Sequence, residues 1–340
     1  MDKEVILEIR NLSVRYRTRK GPIMPVANVS LRVREGECLG IAGESGCGKS
    51  TLALAVMKLL PPNARISTGS ILLNGEDLVP LSEKEYGRRI WGKRIIMISQ
   101  NPHDALDPVF RVRDQLEEIL WVHEKSQPGN HTAQRESHGH EIERILTGMG
   151  IPDISRVLGA YPHQLSGGMK QRILTAMAFF CNPSILIADE PTTALDTTIA
   201  AQVTEMFKDL MKAHSTSLVY ISHDLALLSE LSTSVAVMYA GEIVEYGKTA
   251  DIASKPMHPY TTALLAALPS ASKSRLDSIP GRVPDLSNPT RLCQFSPRCR
   301  EKGGWCTEEK PELLEVTPGH WARCSKFLTT DTDRSIHGAR

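Results

Sequence analysis

Gly43-Glu44-Ser45-Gly46-Cys47-Gly48-Lys49-Ser50 decides the fold. The octet fits G-x-x-x-x-G-K-[ST] and lies between an apolar run at 38–42 and a helical pattern at about 49–60, the strand–turn–helix context that a phosphate-binding loop requires. Glycines let backbone N–H groups curl around phosphate oxygens, the helix N-terminus adds partial positive charge, and Lys49 can reach the terminal phosphates. The candidate phosphate contacts are Gly43, Ser45, Gly46, Cys47, Gly48, Lys49, Ser50 and Thr51. Ser50 also offers a hydroxyl to Mg²⁺, which prefers octahedral oxygen ligation. A glycine-rich turn with a chance lysine is the bland alternative, and the flanking elements argue against it.

The rest of the first 255 residues supplies a setting for that loop. Residues 5–16 and 26–33 alternate apolar with polar, and 70–73 run into Asn74-Gly75, which predicts antiparallel strands and a tight turn. Short runs at 38–42, 95–98, 185–188 and 218–221 are apolar on both faces, as a buried parallel sheet demands. Helical spacing recurs at 49–60, 169–181 and 197–213. Between about 103 and 163 the pattern turns helical, with Val112, Leu116, Ile119 and Leu120, then Ile142, Ile145 and Leu146. Beyond about 255 prolines accumulate and periodicity fades, the mark of an irregular appendage. The class is α/β with an antiparallel β portion.

Three strands end in candidate catalytic groups. Ile185–Ala188 runs into Asp189 and Glu190, at the strand edge where open α/β sheets bind ligands. Asp189 suits Mg²⁺ and Glu190 could polarise an attacking water. Gln100 follows the 95–98 run, so its amide could sense Mg²⁺ and that water, and His223 follows 218–221, so it could hold a γ-phosphate. Tyr16 could stack on adenine or be a plain half-buried tyrosine.

Forty basic and thirty-nine acidic residues leave a net charge of +1, so no global field recruits nucleic acid or an anionic membrane. The longest nearly unbroken apolar run, 173–181, is far short of the roughly 18 residues a spanning helix needs. The first residues lack the pattern of a secretory signal. The expected location is the cytosol, with any membrane link made through partners.

Leu165-Ser166-Gly167-Gly168-Met169-Lys170-Gln171-Arg172 opens a second helix with small residues, a second anion site on one chain. This octet resembles the ABC signature motif, and with the preceding motifs in family order the chain resembles ABC nucleotide-binding domains along nearly its whole length. The resemblance implies an ABC-type P-loop ATPase fold with an antiparallel β subdomain, a helical subdomain (about 103–163) and a small C-terminal extension. It implies that two subunits pair head to tail, so that Ser166, Gly167 and Gly168 of one close over ATP held by the other. It further makes Gln100 the Q-loop, Asp196 the D-loop aspartate and His223 the switch histidine. ATP and Mg²⁺ are the implied ligands.

Gln100-Asn101-Pro102 with Ala105-Leu106-Asp107-Pro108, Tyr161-Pro162-His163-Gln164, and His258-Pro259-Tyr260 with Ala263-Leu264-Leu265 resemble the peptide and nickel importer branch. This implies a nucleotide-binding domain at 1–255 and a branch-specific extension at 256–340. It also implies work at the cytoplasmic face of the inner membrane, with two permease subunits and, indirectly, an extracytoplasmic solute-binding protein. Met169, where glutamine is commoner, resembles one of two paralogous ATPases and favours a heterodimer over a homodimer. Di- or oligopeptides are the expected cargo, with nickel or another chelate as the alternative. A soluble ABC ATPase acting on nucleic acid or ribosomes, and a regulatory module using nucleotide as a switch, are the rival classes.

Four of seven cysteines, Cys293, Cys299, Cys306 and Cys324, fall in the proline-rich extension, where a metal would staple a segment that buries little. Some ATPases of the resembled branch hold a [4Fe–4S] cluster at such a pattern; zinc and free thiols are the alternatives. Cys38, Cys47 and Cys181 read as packing or loop residues. His123, His131, His138 and His140 lie in a polar stretch and read as a solvated face.

Overall fold

A computed structural model describes residues 4–99, 105–124, 131–192, 197–268, 278–287, 292–307 and 310–328. The first half of the chain forms β1 (Val5–Thr18), β2 (Gly21–Arg34), β3 (Cys38–Ala42), α1 (Lys49–Val56), β4 (Ala64–Leu73), β5 (Glu76–Asp77), α2 (Glu83–Arg89), β6 (Ile95–Ile98), α3 (Val112–Glu124), α4 (His131–Gly148) and α5 (Ile154–Gly159). There follow α6 (Gly167–Phe180), β7 (Ile185–Asp189), α7 (Thr197–His214), β8 (Ser217–Ser222), α8 (Leu225–Leu231), β9 (Ser234–Tyr239), β10 (Glu242–Lys248), α9 (Thr249–Ser254), α10 (Pro259–Ala266), β11 (Leu314–Thr317) and β12 (His320–Ala322). These elements form two compact units, one of Met1–Ile6, Val33–Glu37 and Asp77–Tyr220, the other of Leu7–Arg32, Cys38–Glu76 and Ile221–Arg340.

In the first unit, strand order is β8-β7-β6. β6 lies parallel to β7 with Ile95 opposite Ile185 and Ile98 opposite Ala188. Every residue of β7 and β8 is buried, which explains the apolar runs at 185–188 and 218–221: a strand buried on both faces has no solvent side for polar residues. The helical stretch is a bundle in which α3 buries Val112, Leu116 and Leu120 and α4 buries Ile142, Ile145 and Leu146. Here the reading of a solvated histidine face fails for His138. It is 2% exposed and meets Trp121 edge-on at 5.7 Å, because 138, 142 and 145 share one helical face. His140 is exposed; the side chains of His123 and His131 lie outside the described residues.

The second unit holds a four-stranded sheet in the order β2-β1-β4-β5, with β1 antiparallel to β4. Val29, Leu31 and Val33 of β2 are buried in alternation, as period two requires. Asn74 and Gly75 both take positive φ, 49° and 80°, the primed-turn geometry that joins β4 to β5. A second set of strands runs β11-β12-β10-β9-β3, with β3 parallel to β9 and β10 antiparallel to both β9 and β12. The C-terminal segment is therefore less irregular than its sequence suggests, since it contributes α10 and the β11–β12 hairpin.

A buried carboxylate ties that segment down. Glu245 of β10 is fully buried and accepts hydrogen bonds from the N–H groups of Met257 (2.7 Å) and His258 (2.9 Å). His320 Nε2 donates to it from β12 at 2.7 Å. Replacing Glu245 with Ala leaves three donors without their acceptor, two of them, at His258 and His320, buried. The expected loss is about 3–5 kcal/mol, read as a lower denaturation midpoint and faster proteolysis after residue 255. Glu245→Gln, which keeps one oxygen acceptor, should lose less.

Candidate functional site

The loop between β3 and α1 has the conformation its glycines predict. Gly43, Gly46 and Gly48 take φ of 153°, 80° and 109°, a region closed to most side chains. A Cβ on Gly43 would lie 2.2 Å from the Met238 carbonyl oxygen, and one on Gly48 would lie 1.9 Å from that of Pro25. Gly48 caps α1, which puts the helix N-terminus, the end that favours an anion, at the loop. Lys49 is the first helical residue; it is buried, and its ammonium donates to the carbonyls of Gly43 (2.7 Å) and Glu44 (3.1 Å). Ser45, Gly46 and Ser50 are exposed and Thr51 is half-buried. Cys47 is buried, and burial pushes its thiol pKa up against the opposing pull of Lys49.

Sequence reasoning missed what holds Glu44. The Arg298 guanidinium grips its carboxylate with two bonds, Nη1 to Oε2 at 2.6 Å and Nη2 to Oε1 at 2.9 Å. The Glu44 N–H donates to the Tyr260 hydroxyl at 2.9 Å. Tyr260 belongs to α10 and Arg298 adjoins Cys299, so two parts of the extension reach the phosphate loop. No sequence signal pairs positions 254 residues apart; the only hint was an acidic residue inside an anion-binding motif.

Two other candidates share the second unit. Tyr16 is half-buried near the end of β1, opposite Ala64. His223 is exposed between β8 and α8, whose N-cap Asp224 accepts from the N–H groups of Ala226 and Leu227. In the first unit, Asp189 ends β7 and is 4% exposed. Glu190 follows in the left-handed region at φ 48°, a conformation uncommon outside glycine, asparagine and aspartate. Ser166 is the N-cap of α6, its hydroxyl accepting from the Met169 N–H at 3.3 Å, and a Cβ on Gly167 would meet open space. Arg172 pins the same helix by donating to the carbonyls of Met149 and Gly150 and to Gln202. Gln100 and Asp196 lie outside the described residues.

The four C-terminal cysteines, with His258, line one cavity of about 20 Å³. None of the four cysteines is in a disulfide. Burial raises the pKa of Cys293 and Cys299 and pushes Cys324 up to about 11. Burial, then the charges of Lys326 and Arg323, lowers His258 to about 3, so it is a neutral acceptor for the Tyr260 N–H. Among the described residues no group of three or more His, Cys, Asp or Glu side chains is set to hold a metal ion as it stands. Of the remaining cysteines, Cys38 is buried in β3, and Cys181 caps α6 with its pKa pushed up to about 12 by burial.

Residues 26–193 match the ABC transporter family, and residues 244–306 match the oligopeptide/dipeptide transporter C-terminal region. The chain is 41% identical to the oligopeptide transport ATP-binding protein OppD of Bacillus subtilis, over 94% of this chain and 88% of that one. It is 42% identical to the dipeptide transport ATP-binding protein DppD of Escherichia coli, over 94% and 96%. Its fold is similar to the dimeric, ADP- and Pi-bound ATP-binding cassette MJ0796, with a TM-score of 0.62, 24% identity, and coverage of 72% and 99%. The chain belongs to the ABC transporter ATP-binding family, and its fold is that of an ABC ATPase. It is an ATPase that powers transport.

The glycine geometry makes a sharp prediction. Gly48→Ala needs a Cβ where the Pro25 carbonyl sits, so the loop must rearrange. Nucleotide affinity should fall at least about tenfold, in equilibrium binding of a fluorescent ATP analogue. Gly46→Ala, whose Cβ meets nothing within 4 Å, should fall less despite its positive φ.

Proposed function

We propose that this chain is the ATP-hydrolysing subunit of an importer of di- or oligopeptides, attached to the cytoplasmic face of the membrane through two permease subunits fed by an extracytoplasmic solute-binding protein. The observation that carries the cargo assignment is the match of residues 244–306 to the oligopeptide/dipeptide transporter C-terminal region; relatives named for oligopeptide and dipeptide transport, aligned along 94% of the chain, support it. Among the described residues no helix is long and apolar enough to cross a membrane. Val109 and Phe110, 71% and 53% exposed just before α3, offer apolar contacts of the kind a permease loop would cover.

In this reading, residues 1–255 bind nucleotide and residues 256–340 form the extension. The loop at 43–50 holds the triphosphate, with Lys49 neutralising its terminal charge and Thr51 extending the cradle. Ser50, Asp189 and Gln100 supply oxygen donors of the type Mg²⁺ takes, and the ion would offset charge on the transferring phosphoryl group. Tyr16 stacks on the base, Glu190 orients and polarises water, and His223 contacts the γ-phosphate. Ser166, Gly167, Gly168 and Asp196 act on nucleotide held by a second, paralogous ATPase. Closure of the pair and reopening after hydrolysis would move the permeases through the α3–α5 region.

The extension's Cys293, Cys299, Cys306 and Cys324 are assigned to a [4Fe–4S] cluster. All four line one cavity, and Cys₄ thiolate ligation is what such a cluster takes, whereas zinc ligand pairs are usually separated by only about two to four residues. The cluster's role is structural or sensory.

Glu190→Gln should retain ATP binding and lose turnover by about 10²–10⁴-fold; ATPase rates and peptide uptake in the assembled transporter measure this, and unimpaired turnover would remove Glu190 from the water-activating role. Anaerobically purified protein should contain iron and acid-labile sulfide, both lost in Cys299→Ser. Zinc alone would end the cluster assignment.

A further inference from the structure

Glu44 places a carboxylate inside a loop whose other features attract anions. Left alone, that charge opposes a triphosphate. The Glu44 side chain is 25% exposed, whereas the Arg298 side chain facing it is 4% exposed and is held from behind. Arg298 Nε donates to the Pro280 carbonyl at 2.8 Å, and its other nitrogens reach the Ile279 carbonyl and the Tyr239 hydroxyl, each at 3.4 Å. It also lies 5.8 Å from the centre of the Tyr239 ring. Backbone bonds from Arg298 N to Phe295 O and from Ser296 N to Cys293 O fix its segment in tight turns. Phe295 packs on Tyr239 and Tyr260 at 5.2 and 5.3 Å. A planar, two-pronged pair restrained this way fixes a carboxylate's direction as well as its charge.

We infer that Arg298 is a positioning residue for nucleotide: from the cysteine segment it neutralises Glu44 and turns that carboxylate away from the phosphates, so the extension sets the phosphate affinity of the loop. The inference rests on the reading of residues 43–50 as the phosphate loop and deepens it. Two consequences separate it from a purely structural pair. The harm of losing Arg298 must scale with phosphate charge, and it must vanish when Glu44 is also neutral.

The test is equilibrium binding of fluorescent ATP, ADP and AMP analogues to the full chain, at low and high salt. Arg298→Met should weaken ATP about tenfold, ADP less and AMP least, with the loss shrinking in salt. Arg298→Lys should keep most of the affinity. Glu44→Gln should bind ATP at least as tightly as the wild type, and Glu44→Gln/Arg298→Met should regain most of what Arg298→Met loses, although both lack the pair. Equal losses for all three nucleotides, or a double variant as weak as Arg298→Met, would overturn the inference. If Arg298→Met does not fold, Glu44→Gln decides: weaker ATP binding than wild type overturns it. Unchanged binding in Lys49→Ala would instead remove the phosphate-loop reading beneath it.

Discussion

The phosphate loop is possible only because its backbone is clamped at close range, and that clamp organises the second unit around it. The Gly241 N–H donates to the Cys47 carbonyl at 2.9 Å, and the Gly241 carbonyl accepts from the Ala27 N–H at 2.8 Å. One residue of the β9–β10 hairpin thus joins the loop to β2. Gly241 takes φ 87°, and a Cβ there would lie 3.0 Å from the Met24 carbonyl. Three backbone segments meet with no room for side chains between them, which explains glycine at 43, 48 and 241 together. Such packing holds the N–H groups in place before an anion arrives, so little ordering cost remains for binding.

What the sequence revealed was local, and what it concealed was paired across distance. The loop, the buried parallel strands and the Asn74-Gly75 turn were legible because each is dictated by neighbouring residues: φ > 0 demands glycine or asparagine, and two-sided burial demands an apolar run. His138 was not legible as a core residue, because the polar stretch around it hides its place on the stripe shared with Ile142 and Ile145. Arg172 was quoted as the end of a motif, yet its hold on the carbonyls at Met149 and Gly150 fixes the signature helix within its unit. The β11–β12 hairpin was invisible for another reason. Its strands are 4 and 3 residues long and exist because β10 offers an edge to pair with, a tertiary cause with no local signature.

The extension is assembled largely by charged groups reaching specific partners, in place of a large apolar core. Glu245 gathers the start and end of the segment; Lys310 reaches Glu242 at 2.6 Å; Arg323 donates to the carbonyls of Ile243 and Pro311. A buried polar pair such as Glu245 with His320 adds little net stability compared with apolar packing of the same volume, yet breaking it is costly because the remaining charge is stranded. Its value lies in discrimination. A hydrophobic contact tolerates a shifted register, whereas a carboxylate satisfied by two adjacent N–H groups and a histidine does not.

That difference bears on how an apolar-poor segment can affect the loop at 43–50. A segment held by loose packing would transmit nothing to Glu44, because its position relative to β3 would be undefined. Held by Glu245 at one place and by the Tyr239, Tyr260 and Phe295 cluster at another, it has a defined position. Arg298 then delivers its charge to one carboxylate at hydrogen-bond distance. The discriminating contacts of the extension and the electrostatics of the phosphate loop are therefore one construction: the first makes the second geometrically possible, and the tyrosines at 239 and 260 belong to both.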